Sequence, residues 1–439
     1  MNITKIIKKK IRLIKTSDVA IRVLHNSSWI MSDKIFTMFI GVFVTALVAR
    51  YFGPSRYGQF NYALSFVSLF TAISTLGLET LTVRSIINDE YDEGTILCTS
   101  LFLRITGGFI LTIIAGIIIR FIEPDDRNIH VLVTIMSVTM LLKSLEVIEY
   151  WIQAHQRAKI SSIIRMSAYV VAASLKLLLV FSQGNLIQYA FIYSLDALLI
   201  GTSLIIAYFK FRENKVKWRI NLEYGKYILS QSWYLIVSGL LVTLYMQIDK
   251  IMLGNMMDTK IEVGIYSAAS QVAQMWYFIP MAIITSMQPV IMKKKLENQE
   301  AYLNSVQLLY RIITWIGLIF GLFILIFSDL IINILYGTQY LKASSILSIS
   351  IWAGTFATLG SARGVWLISE NLQRFSLLYI GSGAIVNVVL NYILIPLMGG
   401  HGAAIATLIS QIVVVIVVPL LIKETRISAI MILKAFIFK

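Results

Sequence analysis

Apolar runs about twenty residues long recur along the entire chain, separated only by short polar or Gly/Pro breaks, and this pattern leaves few folds open. A helix of about 20 apolar residues matches the hydrocarbon thickness of a bilayer. The runs fall at 28–50, 58–79, 96–120, 129–151, 160–182, 186–209, 227–254, 263–291, 307–335, 345–369, 375–397 and 402–422, which predicts about twelve membrane spans in 439 residues. Composition agrees. The chain is 57% hydrophobic and 14% charged, against about 25% charge in soluble domains, and its mean hydropathy is +0.77. The expected fold is an all-α polytopic membrane protein with no soluble domain large enough to house an enzyme.

Charge placement predicts the orientation, because loops rich in Lys and Arg stay cytoplasmic. With the N-terminus inside, the inner segments hold Lys5, Lys8, Lys9, Lys10, Arg12, Lys15 and Arg22, then Arg157 and Lys159, then Lys210, Arg212, Lys215, Lys217 and Arg219. Lys293, Lys294, Lys295, Arg374, Lys423 and Arg426 follow on the same side. The opposite loops hold only Arg50, Arg56, Arg120, Arg127, Lys260 and Lys342. Both termini are thus expected in the cytoplasm. The net charge of +15 is a topology signal, and no nucleic-acid partner is needed to explain it. Ile3, Ile6, Ile7, Ile11 and Ile14 alternate with lysines in the first 26 residues; that segment reads equally as an inner-leaflet helix or a solvated tail.

Cys98 is the single cysteine, which excludes an intramolecular disulfide and a CxxC metal motif. His25, His130, His155 and His401 are scattered without ligand spacing, so no metal site is expected.

The chain repeats itself. Gly53 through Ala63 (GPSRYGQFNYA) resembles Gly254 through Ala269 (GNMMDTKIEVGIYSAA), and Trp151 through Val180 aligns without gaps on Trp366 through Ile395. Six spans per half is an even number, so the halves enter the membrane in the same direction as a parallel repeat. The expected organisation is a basic N-terminal segment 1–26, an N-lobe 27–209, a basic linker 210–226, a C-lobe 227–423 and a cytoplasmic tail 424–439. Two such lobes suit alternating access, in which a central site opens to one side at a time.

The run Ala49-Arg50-Tyr51-Phe52-Gly53-Pro54 with Tyr57-Gly58-Gln59-Phe60-Asn61-Tyr62, and Asp249-Lys250-Ile251-Met252-Leu253-Gly254 later, resembles the Wzx-type polysaccharide flippases of the MATE-like multidrug/oligosaccharidyl-lipid/polysaccharide exporter superfamily. The resemblance extends over essentially the whole chain. It implies translocation of an undecaprenyl-pyrophosphate-linked glycan from the cytoplasmic to the periplasmic leaflet of the bacterial inner membrane, for O-antigen or capsule synthesis. It also implies functional partners in a polysaccharide polymerase and a chain-length regulator, besides membrane lipids. The fourteen-span lipid II flippases are similar, but this sequence shows twelve spans.

Moving a sugar-diphosphate through hydrocarbon requires a polar, cationic path, since a charge at the bilayer centre costs about 3 kcal/mol or more. The spans contain Arg104, Arg363, Lys34, Lys250, Lys176 and Lys143 as candidate diphosphate or sugar contacts. Arg104 and Arg363 rank first, because they have no acidic residue nearby in sequence and guanidinium binds phosphate bidentately. Lys143 equally suits pairing with Glu146 three residues on, and Lys176 with Asp196 in the adjacent span. Tyr245 and Gln247 share a span with Lys250 and are the best sugar-facing candidates. Asp33, Asp196 and Asp249 are candidates for coupling to a proton or sodium gradient; Asp33 and Asp249, whose neighbours Lys34 and Lys250 point about 100° away, equally suit balancing a lysine across the cavity. Pro280, Pro289, Gly107 and Gly108 are either bends for rocking or ordinary kinks.

Two other functions fit the architecture less well. A multidrug cation antiporter would favour a carboxylate-dominated cavity, whereas the deep charges here lean basic. An integral-membrane polymerase or ligase would need a large external loop, and the outer loops are about a dozen residues or shorter.

Overall fold

The computed structural model describes residues 18–212 and 216–437, with side chains from residue 25. Most of the basic N-terminal segment and residues 213–215 of the linker lie outside the described residues. Every regular element among those described is helical. Among the described residues, eleven stretches are long and apolar enough to cross a membrane, and the first, His25–Ile87, is 63 residues long. It accommodates both of the first two expected spans. Its main helix, Asp18–Ser74, bends at Gly53 (φ 70°, ψ 169°) immediately before Pro54. Proline disfavours helical backbone in the residue before it, and only glycine takes this positive φ without strain.

The remaining stretches match the expected spans to within several residues, from Glu93–Ile122 to Gly400–Leu421. Arg127–Ala154 is not one continuous α-helix: Arg127–Ser137 gives way to a 3₁₀ turn at Lys143–Glu146 before Val147–Ala154. Backbone carbonyls freed inside a membrane must find donors. Thr139 Oγ1 donates to Met136 O, and Thr112 Oγ1 to Ser137 O at 3.0 Å. Ile261–Glu297 breaks at Trp276–Tyr277, which places Pro280 in the first turn of Phe278–Glu297, where its missing N–H is harmless. Pro289 leaves its helix intact. Glu93–Ile122 likewise runs unbroken through Gly107 and Gly108. Gly108 instead permits close helix packing, since a Cβ there would lie 2.9 Å from Met140 O.

The tail expected after residue 424 contains a packed helix, Arg426–Ala435. Ser428, Ala429, Met431, Ile432 and Ala435 are its buried face, at helical spacing. Tyr310 and Ser428 hydroxyls lie 2.8 Å apart, and Gln307 Nε2 donates to Met431 O.

By contact, the described residues form two compact units. One combines the described part of Met1–Gly41 with Phe70–Val237; the other combines Val42–Leu69 with the described part of Ser238–Lys439. Sequence order puts residues 42–69 with the first half, but packing puts them with the second. Three contacts in and beside the glycine-aromatic repeat account for this. Arg50 Nη2 donates at 2.7 Å to both Asn333 O and Ile334 O, satisfying carbonyls at a helix end. Tyr62 OH donates to Asn255 Oδ1 at 2.6 Å, and its ring fills the space that a Cβ on Gly254 would need. Gly58 and Gly264 let two backbones touch. The first unit is centred on a cluster including Leu97, Ile148, Trp151 and Tyr208, the second on one including Tyr310, Leu359, Trp366 and Val415.

Candidate functional site

The helix Lys342–Ser369 carries Arg363 into the second unit, where it is only 2% exposed. A buried guanidinium needs acceptors, and here they come from irregular backbone. The last span passes through a π-helical stretch, Val413–Val417, just ahead of Pro419. Arg363 Nη1 donates to Val415 O at 2.8 Å and Nη2 to Val414 O at 2.9 Å. The guanidinium lies 4.5 Å from the centre of the Tyr379 ring, a cation–π distance. Arg363 Nε has no partner.

This arginine lines a cavity of about 280 Å³ together with Tyr245, Ser376, Tyr379 and Gln411. No acidic residue lines it. The structure thus brings together Arg363 and Tyr245, from different helices, in a space walled by hydroxyls, an amide and aromatic rings. Such a lining offers donors to anionic or hydroxyl-rich groups and faces for sugar rings. Gly364 also lines it, with nothing within 4 Å of where its Cβ would be.

One turn from Tyr245 on the helix Leu222–Met256 lies Asp249, 5% exposed. Its carboxylate accepts from Asn391 Nδ2 at 2.7 Å, Thr407 Oγ1 at 2.5 Å and Tyr266 OH at 2.5 Å. Asn391 Nδ2 also donates to Asn387 Oδ1 at 3.1 Å, and Asn387 Nδ2 to Thr407 Oγ1 at 3.2 Å. Asn391 Oδ1 is buried with no partner. Lys250, next to Asp249, is half-buried, donates to Gln247 Oε1 at 3.3 Å and also bears electrostatically on Asp249. Gln247 is thereby taken up in packing, since it also accepts from Ser65 Oγ at 3.0 Å. The cavity and the carboxylate are connected: Tyr245 and Ser410 hydroxyls lie 3.0 Å apart, Ser410 Oγ donates to Thr407 O, and Thr407 holds Asp249.

The first unit has its own charges. Arg104 is 4% exposed, donates Nη1 to Tyr150 OH at 3.0 Å and leaves Nε without a partner. Lys143 and Glu146 form no ion pair; Glu146 lies 3.6 Å from Arg165. Arg165 is held chiefly by Glu149, with Nε donating to Oε1 at 3.2 Å and Nη2 to Oε2. Lys176 and Asp196 also fail to meet directly. The ammonium sits 5.9 Å and 5.8 Å from the Tyr169 and Tyr189 ring centres, and Asp196 Oδ1 is buried without a partner. Lys176, Lys143 and Arg165 all bear electrostatically on Asp196. Arg165, Glu149 and Lys34 do the same for Asp33, whose Oδ1 is buried and unpartnered, while Lys34 itself is exposed.

Sequence reading missed Arg165, Glu149, Asn387, Asn391 and Thr407. Arg165 and Glu149 were visible as ionisable residues in the spans. Asn387 and Asn391 were visible as an i, i+4 amide pair in an otherwise apolar run.

The comparisons with known proteins agree with this architecture. Residues 23–295 match the family described as polysaccharide biosynthesis protein, and residues 235–393 match MatE. The capsular polysaccharide biosynthesis protein CapF of Staphylococcus aureus is 23% identical over 405 residues, covering 90% of this chain and 97% of CapF. The probable low-salt glycan biosynthesis flippase Agl15 of Haloferax volcanii is 25% identical over 224 residues, 50% of this chain and 46% of Agl15. Among solved structures, the lipid II flippase MurJ in an inward closed conformation superposes with a TM-score of 0.71 at 16% identity, covering 93% of this chain and 91% of MurJ. An outward-facing MATE multidrug transporter gives 0.63 at 17% identity, covering 92% and 96%. The fold is that of the MurJ and MATE transporters, and the chain belongs to the polysaccharide biosynthesis protein family.

Proposed function

We propose that this protein is a flippase for a lipid-linked glycan, carrying an undecaprenyl-pyrophosphate-linked oligosaccharide from the cytoplasmic to the periplasmic leaflet by alternating access. The observation that carries this reading is the Arg363 cavity: a buried guanidinium, tyrosines and hydroxyls with no carboxylate. A diphosphate finds donors there and a sugar finds ring faces. A cationic drug finds neither a charge partner nor relief from desolvation. The match to MatE is therefore read as shared architecture, and the cation-antiporter alternative is disfavoured by cavity chemistry. The names of CapF and Agl15, a capsule protein and a glycan flippase, favour a glycan substrate for capsule or O-antigen.

The Asp249 cluster supports ion coupling. A buried carboxylate ringed by neutral donors, with the oxygen of Asn391 left over, is suited to take up a proton or a sodium ion. Sodium would be held by Asp249, Asn387, Asn391 and Thr407, all oxygen donors. Tyr245 and Ser410 link that carboxylate to the cavity, so occupancy of one bears on the other. The excess of Lys and Arg in one set of loops supports an orientation with both termini in the cytoplasm; in a bacterial inner membrane, a polymerase and a chain-length regulator would then act on the delivered glycan.

Complementation tests the reading. In a strain lacking its own repeat-unit flippase but carrying the matching sugar-assembly genes, this gene should restore surface polysaccharide. Normal membrane levels of the protein with no polysaccharide, and new resistance to cationic drugs, would favour the antiporter.

A further inference from the structure

A second cavity, of about 490 Å³, lies in the first unit between the antiparallel helices Ala158–Phe181 and Leu186–Phe211. Ile160, Ile163 and Ile164 line it from one helix and Ile206 from the other, so its wall is hydrocarbon. Ile206 is 67% exposed. At one end stand Lys159 and Lys210, both exposed, from the first turn of one helix and the last turn of the other. Among the described residues neither ammonium pairs with a carboxylate; Lys159 lies 5.6 Å from the centre of the Trp29 ring and Lys210 5.6 Å from that of Phe211. None of the lining residues is acidic. Arg157 strengthens the same end, donating Nη1 to Phe211 O at 2.8 Å and tying the two helix termini together. Arg212 stacks there on Phe209 at 4.8 Å.

An apolar slot closed at one end by cations matches a molecule with a hydrocarbon tail and an anionic head. Basic sites between membrane helices on the side of the positive loops hold anionic lipid headgroups, and lysines near that surface each add to the attraction. We infer that this groove binds an anionic glycerophospholipid of the leaflet on the basic-loop side, with its phosphate between Lys159 and Lys210 and an acyl chain along Ile160, Ile164 and Ile206. Arg104, Arg363 and Asp249 do not line the groove. The inference does not depend on the flippase reading.

Native mass spectrometry of the full-length protein, titrated with phosphatidylglycerol or with phosphatidylcholine of the same chains, tests it. The wild type should prefer phosphatidylglycerol, and Lys159→Ala with Lys210→Ala should weaken that binding by roughly fivefold per lysine and leave phosphatidylcholine unchanged. Ile206→Trp, at a position exposed enough to spare the fold, should fill the slot and reduce phosphatidylglycerol binding. Ile326→Trp, 72% exposed in the other unit, should not. Unchanged phosphatidylglycerol binding in the double lysine variant overturns the site. Loss with the lysines but not with Ile206→Trp also overturns it, as plain surface attraction without a groove. Displacement of phosphatidylglycerol by equimolar undecaprenyl phosphate overturns the phospholipid assignment in favour of a carrier-lipid site.

Discussion

Gly58 and Gly264 meet backbone to backbone: a Cβ on Gly58 would lie 1.8 Å from Lys260 O, and one on Gly264 2.0 Å from Pro54 O. They are the glycines of the two related sequence runs, so the internal repeat contacts itself. Real Cβ atoms do not approach that closely, and overpacking typically costs about 1–3 kcal/mol. Gly58→Ala and Gly264→Ala should each lower the apparent melting temperature in detergent and reduce glycan export. Gly116→Ala, with nothing within 4 Å, should change neither. Equal melting temperatures for all three variants would mean that the contact is not present in the folded protein.

Gly364 opens onto the Arg363 cavity with free space where a side chain would go. Gly364→Phe should therefore abolish glycan export while the protein accumulates and melts as the wild type does. Arg363→Ala is the harsher change, because it strips donors from Val414 O and Val415 O inside the membrane, where an unsatisfied backbone group costs on the order of several kcal/mol. It should lose stability and export together. Export in Gly364→Phe at wild-type rates would remove the cavity from the substrate path.

Arg165 holds Glu149 and Glu146 in the first unit. Removing one partner of a fully buried pair costs about 3–5 kcal/mol; here both sides are partly exposed, so Arg165→Gln should cost less than that. The expected outcome is a lower melting temperature, largely recovered when Glu149→Gln is added. Failure of the second substitution to recover stability would show that the arginine is held by something other than that carboxylate.

Asp249→Asn keeps an acceptor for Tyr266 and Thr407 but removes the charge that would take up a proton or sodium ion. In reconstituted vesicles, wild-type flipping should accelerate under one of those gradients, and the variant should run at the same rate with or without it. A variant that still responds would place coupling elsewhere, with Asp33 and Asp196, each with one buried carboxylate oxygen, the remaining candidates of the three.

The spans were legible because hydrocarbon thickness imposes a length that composition displays directly. Tyr245 and Arg363 were legible as a polar aromatic and a charge within apolar runs, though nothing in the sequence says that they share a cavity. What could not be read was pairing. Helical spacing offered Glu146 to Lys143, but Arg165 reaches both Glu146 and Glu149 from the next helix and outcompetes a lysine for them. The sequence left Asp249 open to an ion or to a lysine across the cavity, and could not show that three neutral donors from three other helices enclose it. Neutral amides and hydroxyls raise no charge signal in a span, so the Asn387 and Asn391 pair could be seen, but nothing tied it or Thr407 to a carboxylate until packing gathered them. The packed helix Arg426–Ala435 was missed because its apolar face is too short for a span.

The most direct test of the flippase account is transbilayer movement itself. Purified protein is reconstituted into vesicles with an undecaprenyl-pyrophosphate-linked oligosaccharide, and the fraction open to an added sugar-cleaving enzyme is followed with time. The expected result is protein-dependent exposure of the protected half of the glycolipid, absent with Gly364→Phe. Exposure no faster than in protein-free vesicles, with the protein folded and correctly inserted, would contradict it.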